Sequence, residues 1–128
     1  MHPDQFRNVV ALPPLERYWY FVRVVADKGE VWGLRTPEGR WVAVETSWGT
    51  AYPFWPEKEF AAAAAAGEWA SASPTSIPLE RFLDRWLQGM ARGGDRVGVF
   101  WHPEDLVGID VEPEVLSVDL VTEGAQYE

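Results

Sequence analysis

His102, Glu104, Asp105 and Asp110 fall close together near the C-terminal end of the chain, and a turn that gathers carboxylates can hold a hard cation. No His-x-x-x-His or Glu-x-x-His spacing and no calcium-loop pattern accompanies them, so they are read as a solvated acidic turn, with no metal and no cofactor expected. Asp110 and Glu112 share one face of an expected strand, about 6.6 Å apart, a separation used by paired carboxylates in glycoside hydrolysis. Neither neighbours anything in the sequence that would raise a carboxyl pKa for acid catalysis, and both are expected to face solvent. Nucleophilic catalysis finds little material: there is no cysteine, no Gly-x-Ser-x-Gly, and His2 and His102 are the two imidazoles. Gly93-Gly94 lacks the lysine and spacing of a phosphate-binding loop.

The aromatic residues are more distinctive. Of the eight tryptophans, Trp86 belongs to a helical apolar stripe, and Trp32 and Trp101 lie in expected strands, so these three are assigned to the core. Trp41, Trp48, Tyr52, Phe54 and Trp55 crowd a strand, a glycine turn and a helix start. Indoles suit interfaces, because one edge is apolar and the N–H can stay wet. Trp41, Trp48, Tyr52 and Trp55 are therefore candidate binding residues, against the alternative that they pack onto Phe60 and the sheet. The helix start at Pro56 to Lys58 offers unpaired N–H groups to a small anion, which adds Lys58.

The elements that must position these residues follow from periodicity. Residues 1–12 form a short helix or an arm. Leu15, Tyr18, Phe21, Val22 and Val25 recur at helical spacing and predict a helix over 15–28, closed by Gly29. Residues 30–36 and 41–45 predict a hairpin about Pro37-Glu38-Gly39-Arg40, and 51–54 a short strand. Pro56, Glu57, Glu59 and six successive alanines predict a helix over 56–67. Residues 71–76 are read as a loop, and 79–91 as a helix with Leu79, Phe82, Leu83, Trp86, Leu87 and Met90 inward. Residues 97–101 and 107–111 predict a second hairpin, and Pro113 opens a short helix through about Leu120. Strands in hairpins between helices imply the α+β class: an antiparallel sheet of two or more hairpins with about four helices packed on it. The expected core includes Tyr18, Phe21, Val25, Leu79, Phe82, Leu83 and Trp86. The 128 residues suit a single domain, its body at about 15–120.

Charge is unevenly placed. The net charge is −9. Residues 97–128 hold eight acids and no Lys or Arg, whereas residues 1–96 are nearly balanced. This argues against nucleic-acid binding, which needs clustered bases. Glu104, Asp105, Asp110 and Glu112 thereby become candidates for docking a basic protein partner, against the alternative of a solubilising surface. No apolar run is long enough to span a membrane and no signal peptide is read, so a cytoplasmic setting is expected.

Several stretches resemble the bacterial family of domain of unknown function 2750. These are Arg17-Tyr18-Trp19-Tyr20-Phe21 running on to Val31-Trp32-Gly33-Leu34; Pro53-Phe54-Trp55-Pro56-Glu57-Lys58-Glu59-Phe60-Ala61; Ile77 to Leu87; and Val97 to Val111 with Glu112-Pro113-Glu114. The resemblance implies a small stand-alone bacterial domain and carries no catalytic residue. The sequence thus points to a non-enzymatic binding or interaction module. The alternatives are a small-molecule or enzymatic site at the Trp55 helix start, and an immunity-type inhibitor whose acidic face covers a basic toxin. Nine arginines against two lysines, with one Asn and three Gln, suggest heat adaptation. Calorimetry is expected to show melting above about 60 °C; an ordinary mesophile midpoint would remove that idea.

Overall fold

The structure, a computed structural model, describes residues 1–101 and 109–127. His102, Glu104, Asp105 and Val107, all named from the sequence, lie outside the described residues. The fold is α+β. Helices α1 (Pro3–Val10) and α2 (Pro14–Lys28) precede β1 (Glu30–Arg35), β2 (Val44–Thr46) and β3 (Gly49–Phe54). Then come α3 (Lys58–Ala64), β4 (Ser73–Pro78), α4 (Leu79–Arg81) and α5 (Leu87–Gly93), β5 (Arg96–Val99), β6 (Ile109–Val111) and α6 (Pro113–Gly124). A π-helical turn, Phe82–Trp86, joins α4 to α5 in one continuous helical segment.

His2 does not trail from a free terminus: its Nδ1 accepts from the Asp4 N–H at 3.0 Å and caps α1. Pro3 occupies the first turn, where a missing N–H costs nothing. The α2 helix ends as expected, on Gly29 in the left-handed region. Its buried face, Tyr18, Phe21, Val22 and Val25, packs along α6 and onto the sheet. The Tyr18 hydroxyl donates to Asp119 on α6 at 2.5 Å, and burial together with that carboxylate pushes the phenol pKa up.

The strands pair differently from the first expected hairpin. β1 does not run beside 41–45; it pairs antiparallel with β4, from Glu30↔Pro78 to Arg35↔Ser73. The segment read as a loop is therefore an edge strand, in which Pro74 and Pro78 are tolerated because an edge leaves half its ladder unpaired. The backbone of 41–45 bonds to β1 near its end, through the Arg35↔Trp41 bridge and the Val42 N–H donating to Leu34 O. β2 turns instead to β3 in a two-residue hairpin. The reason is burial: Val31, Gly33 and Leu34 of β1 are all enclosed, so this strand needs partners and cover that a free hairpin lacks. The main sheet runs β2-β3-β5-β6 and is mixed, since β3 and β5 are parallel. The chain between them, through α3 to α5, supplies the long crossover that parallel pairing requires. The β5–β6 pairing follows the sequence expectation, with Val97 opposite Val111.

Two helices also depart. α3 starts at Lys58 rather than Pro56, because Trp55 is still held in a bridge to Trp32 and Glu57 remains extended. It ends at Ala64, and Ala66 is extended, so tertiary packing of Phe60, Ala61 and Ala64 overrides the propensity of the alanine run. In the 79–93 segment the Leu87 N–H donates to Phe82 O, five residues back. That π turn sets Phe82 and Leu87 on one buried face and moves Leu83 and Trp86 to its flanks. Leu79, Leu83 and Trp86 are accordingly half-buried, not central. Truncation followed by thermal or urea unfolding should rank them: Leu87→Ala costs about 2–5 kcal/mol and Leu83→Ala distinctly less. Equal costs would mean that the helix continues without the π turn.

Candidate functional site

At the β2–β3 turn, the Thr46 hydroxyl accepts from the Trp48 N–H at 3.1 Å and donates to Gly49 O at 2.7 Å. Gly49 has a positive φ of 127°, which only glycine takes readily. The turn is therefore pinned from inside, and the Trp48 indole is pushed into solvent, 78 % exposed. The end of α5 approaches the same place: Gly94 caps the helix in the left-handed region, and its carbonyl lies beside Gly49. Strand β6 and the first residues of α6 complete an open groove of about 690 Å³. Trp48, Ala91, Gly94 and Asp95 line one part, and Arg96, Asp110, Glu112, Pro113 and Glu114 the rest.

The electrostatics are one-sided. Four carboxylates, Asp95, Asp110, Glu112 and Glu114, share the groove with one guanidinium, that of Arg96. Pairing of Val97 with Val111 places Arg96 across from Glu112 and diagonal to Asp110. Its contacts are long: Nε to Asp110 Oδ2 at 3.4 Å, Nη1 to Glu112 Oε1 at 3.8 Å, and Nη2 to Asp110 O at 3.3 Å. Glu112 keeps most of its side chain in water. A carboxylate has about four acceptor positions, so Arg96 leaves most of them free. The groove thus presents an apolar indole face and unspent negative charge to whatever enters.

The sequence candidates divide cleanly. Trp48, Asp110 and Glu112 come together in the groove. Trp41 does not join them: its ring packs on Gly33, meets Trp86 edge-on at 4.7 Å, and lies under the Arg35 guanidinium at 5.5 Å. Tyr52 is a half-buried residue of β3 packed against the core. Trp55 is 1 % exposed, and its indole N–H donates to Trp101 O at 2.8 Å, so it offers no surface to a ligand. Lys58 is exposed at the first position of α3 and does not line the groove. Glu57 is buried and ties the start of α3 to α2, accepting from the Tyr20 hydroxyl at 2.5 Å and from Lys28 Nζ at 2.8 Å. The Glu57 hydrogen bond holds the Lys28 ammonium pKa above its ordinary value.

Asp95, Arg96 and Glu114 carry no signal in the sequence that marks them as site residues. Arg96 is legible in hindsight from the hairpin register alone, whereas Asp95 and Glu114 depend on how α5 and α6 close. At Asp110 and Glu112 the answering base is Arg96. Among the described residues no group of three or more His, Asp or Glu is placed to hold a metal ion, and no helix is long and apolar enough to cross a membrane.

The fold and groove define a small α+β domain with one face built from its acidic C-terminal third. The family model described as protein of unknown function (DUF2750) matches residues 18–120, and the chain belongs to that family. Neither curated proteins nor solved structures yield a match. The positions of the two indoles give a stability test. Trp48→Ala should change unfolding free energy by no more than about 0.5 kcal/mol, as for other surface sites. Trp86→Ala should cost more than about 2 kcal/mol, because it strips contacts from Trp41 and Phe54. A comparable loss for both in denaturant melts would place Trp48 in the packed structure and end its candidacy.

Proposed function

We propose that this chain is a protein-interaction module whose groove receives a cationic side chain, arginine above all, of a basic partner protein. The observation that carries the reading is the exposed Trp48 indole beside four carboxylates that a single arginine answers. Arginine fits both halves of that surface: its flat guanidinium stacks on an indole, and its fork pairs with carboxylates. Glu112 is the N-cap residue of α6 and Glu114 lies in its first turn, so these two carboxylates stand at the start of that helix. The sequence after Arg96 holds eight acids and no Lys or Arg, a bias that would steer a basic partner toward this part of the protein. The groove volume lies within the range of ordinary ligand pockets, so one or two side chains can enter without a change in the fold.

A fluorescently labelled octapeptide carrying two arginines is the test probe, followed by anisotropy at about 0.01 M and about 0.15 M ionic strength, where charges are screened over about 30 Å and 8 Å. Binding should weaken at least several-fold with salt. Trp48→Ala, and separately the pair Asp110→Asn with Glu112→Gln, should each weaken it by about threefold or more, and a glutamate peptide should not bind. Equal binding by all three proteins would leave the acidic third as a solubilising surface and defeat the proposal.

A further inference from the structure

A second, smaller cavity of about 190 Å³ lies along the seam between α5 and α6. It shares Ala91, Pro113 and Glu114 with the large groove, and adds Leu87, Gln88 and Ser117. The two are therefore one elongated cleft: Asp95, Asp110 and Glu112 lie at the Trp48 end, Glu114 lines both parts, and Leu87, Gln88 and Ser117 line the far part alone. The α6 wall continues the trend. Residues three and four apart share a helix face, so Ser117 and Val118 follow Glu114 along one side, and Val121 follows them. Val118 is 64 % exposed and Val121 57 % exposed.

These valines have no local reason to be there. β-Branched residues are poor helix formers, and burial normally offsets that cost. On α6 the buried face is Pro113, Leu116 and Leu120, which leaves Val115, Val118 and Val121 uncovered among the helix's polar residues. Charge decides what covers the lip beside the cleft. A second copy would bring the same acidic residues against Glu114 and Glu112, whereas a basic segment answers them.

We infer that the cleft reads an extended segment of the basic partner in which an arginine at the Trp48 end is followed, about three residues away, by an apolar side chain seated at Ser117 and Val121. The inference rests on the proposed function and specifies its ligand. The spacing follows the α6 wall: from Glu114, taken as the carboxylate that pairs with the arginine, seven residues of helix rise about 10 Å to Val121, and three residues of extended chain span about the same. The acidic end supplies attraction and the apolar end selects among basic segments, since a cation alone can be bound by any carboxylate cluster.

The test uses two labelled octapeptides that differ at one position, one with the core Arg-Ala-Ala-Leu and one with Arg-Ala-Ala-Ser. They are titrated against the full-length wild-type protein, Trp48→Ala and Val121→Ser, with melting curves to confirm that the variants are folded. The leucine peptide should bind wild type about tenfold more tightly than the serine peptide. Val121→Ser should reduce that advantage to about threefold or less while leaving the serine peptide unaffected. If both peptides bind wild type equally and both are weakened by Trp48→Ala, the arginine site stands and the apolar reading is overturned. If neither peptide binds at low salt, the proposed function and this inference fail together.

Discussion

The fold depends on how Trp55 is held. Its backbone exchanges two hydrogen bonds with Trp32, at 2.7 and 2.9 Å, which ties the β1–β4 pair to the end of β3. Its indole N–H donates to Trp101 O, which ties the same point to the end of β5. The ring is buried, so each polar group that it or its partners carries must be satisfied inside the protein. The chain accepts local strain to do this. Phe100 takes a φ of 57°, a left-handed conformation that costs a non-glycine residue about 1–2 kcal/mol. In return its N–H donates to Phe54 O at 2.9 Å, its ring meets Phe60 at 4.7 Å, and Trp101 is turned back over Gly98. A side chain at Gly98 would have its Cβ 2.6 Å from the Trp101 ring, so glycine is required there. With β3 and β5 locked side by side, the β2–β3 turn and the start of β5 fall at one end of the sheet, and Trp48 and Arg96 with them.

Much of this is legible in the sequence wherever a local pattern and the tertiary demand agree. The α2 stripe ends on Gly29 as read, and residues 97–99 pair with 109–111 as the second hairpin predicts, although β5 stops at Val99, before Phe100 takes its positive φ. The misreadings fall where long-range contacts decide. Ser73–Pro78 carries two prolines and one buried side chain, Ile77, and reads as a loop until β1 is seen to need a partner. The alanine run reads as a long helix, yet the chain leaves helical geometry after Ala64, and Ala66 is extended. The π turn in 82–86 is invisible to a period of 3.6, and it moves Leu83 and Trp86 out of the centre.

The site shows the same division. Crowding of aromatic residues between 41 and 55 is a sound signal, but it mixes two populations. Trp41, Tyr52 and Trp55 are held by the core, while Trp48, next to a glycine in a two-residue turn, cannot be. The acidic bias after Arg96 includes the β6 and α6 carboxylates that line the groove, but not its geometry. The groove arises where the acidic third folds back beside the end of α5, bringing Asp95 and Arg96 from just before that third against Asp110, Glu112 and Glu114 within it. The α6 helix then serves two faces at once: Leu116 and Leu120 close the core, and Glu114 and Ser117 line the cleft.

The central claim is that a cationic segment enters this cleft and no other part of the surface. Heteronuclear NMR of the labelled protein, titrated with the arginine octapeptide, tests it residue by residue. The Trp48 indole N–H and the amides of Asp95, Arg96, Asp110, Glu112 and Glu114 should shift progressively and saturably, while those of Trp41 and Trp55 stay still. Shifts centred on the shallow surface around Glu80, Arg81, Asp84 and Arg85, or no saturable shifts at all, would contradict the claim.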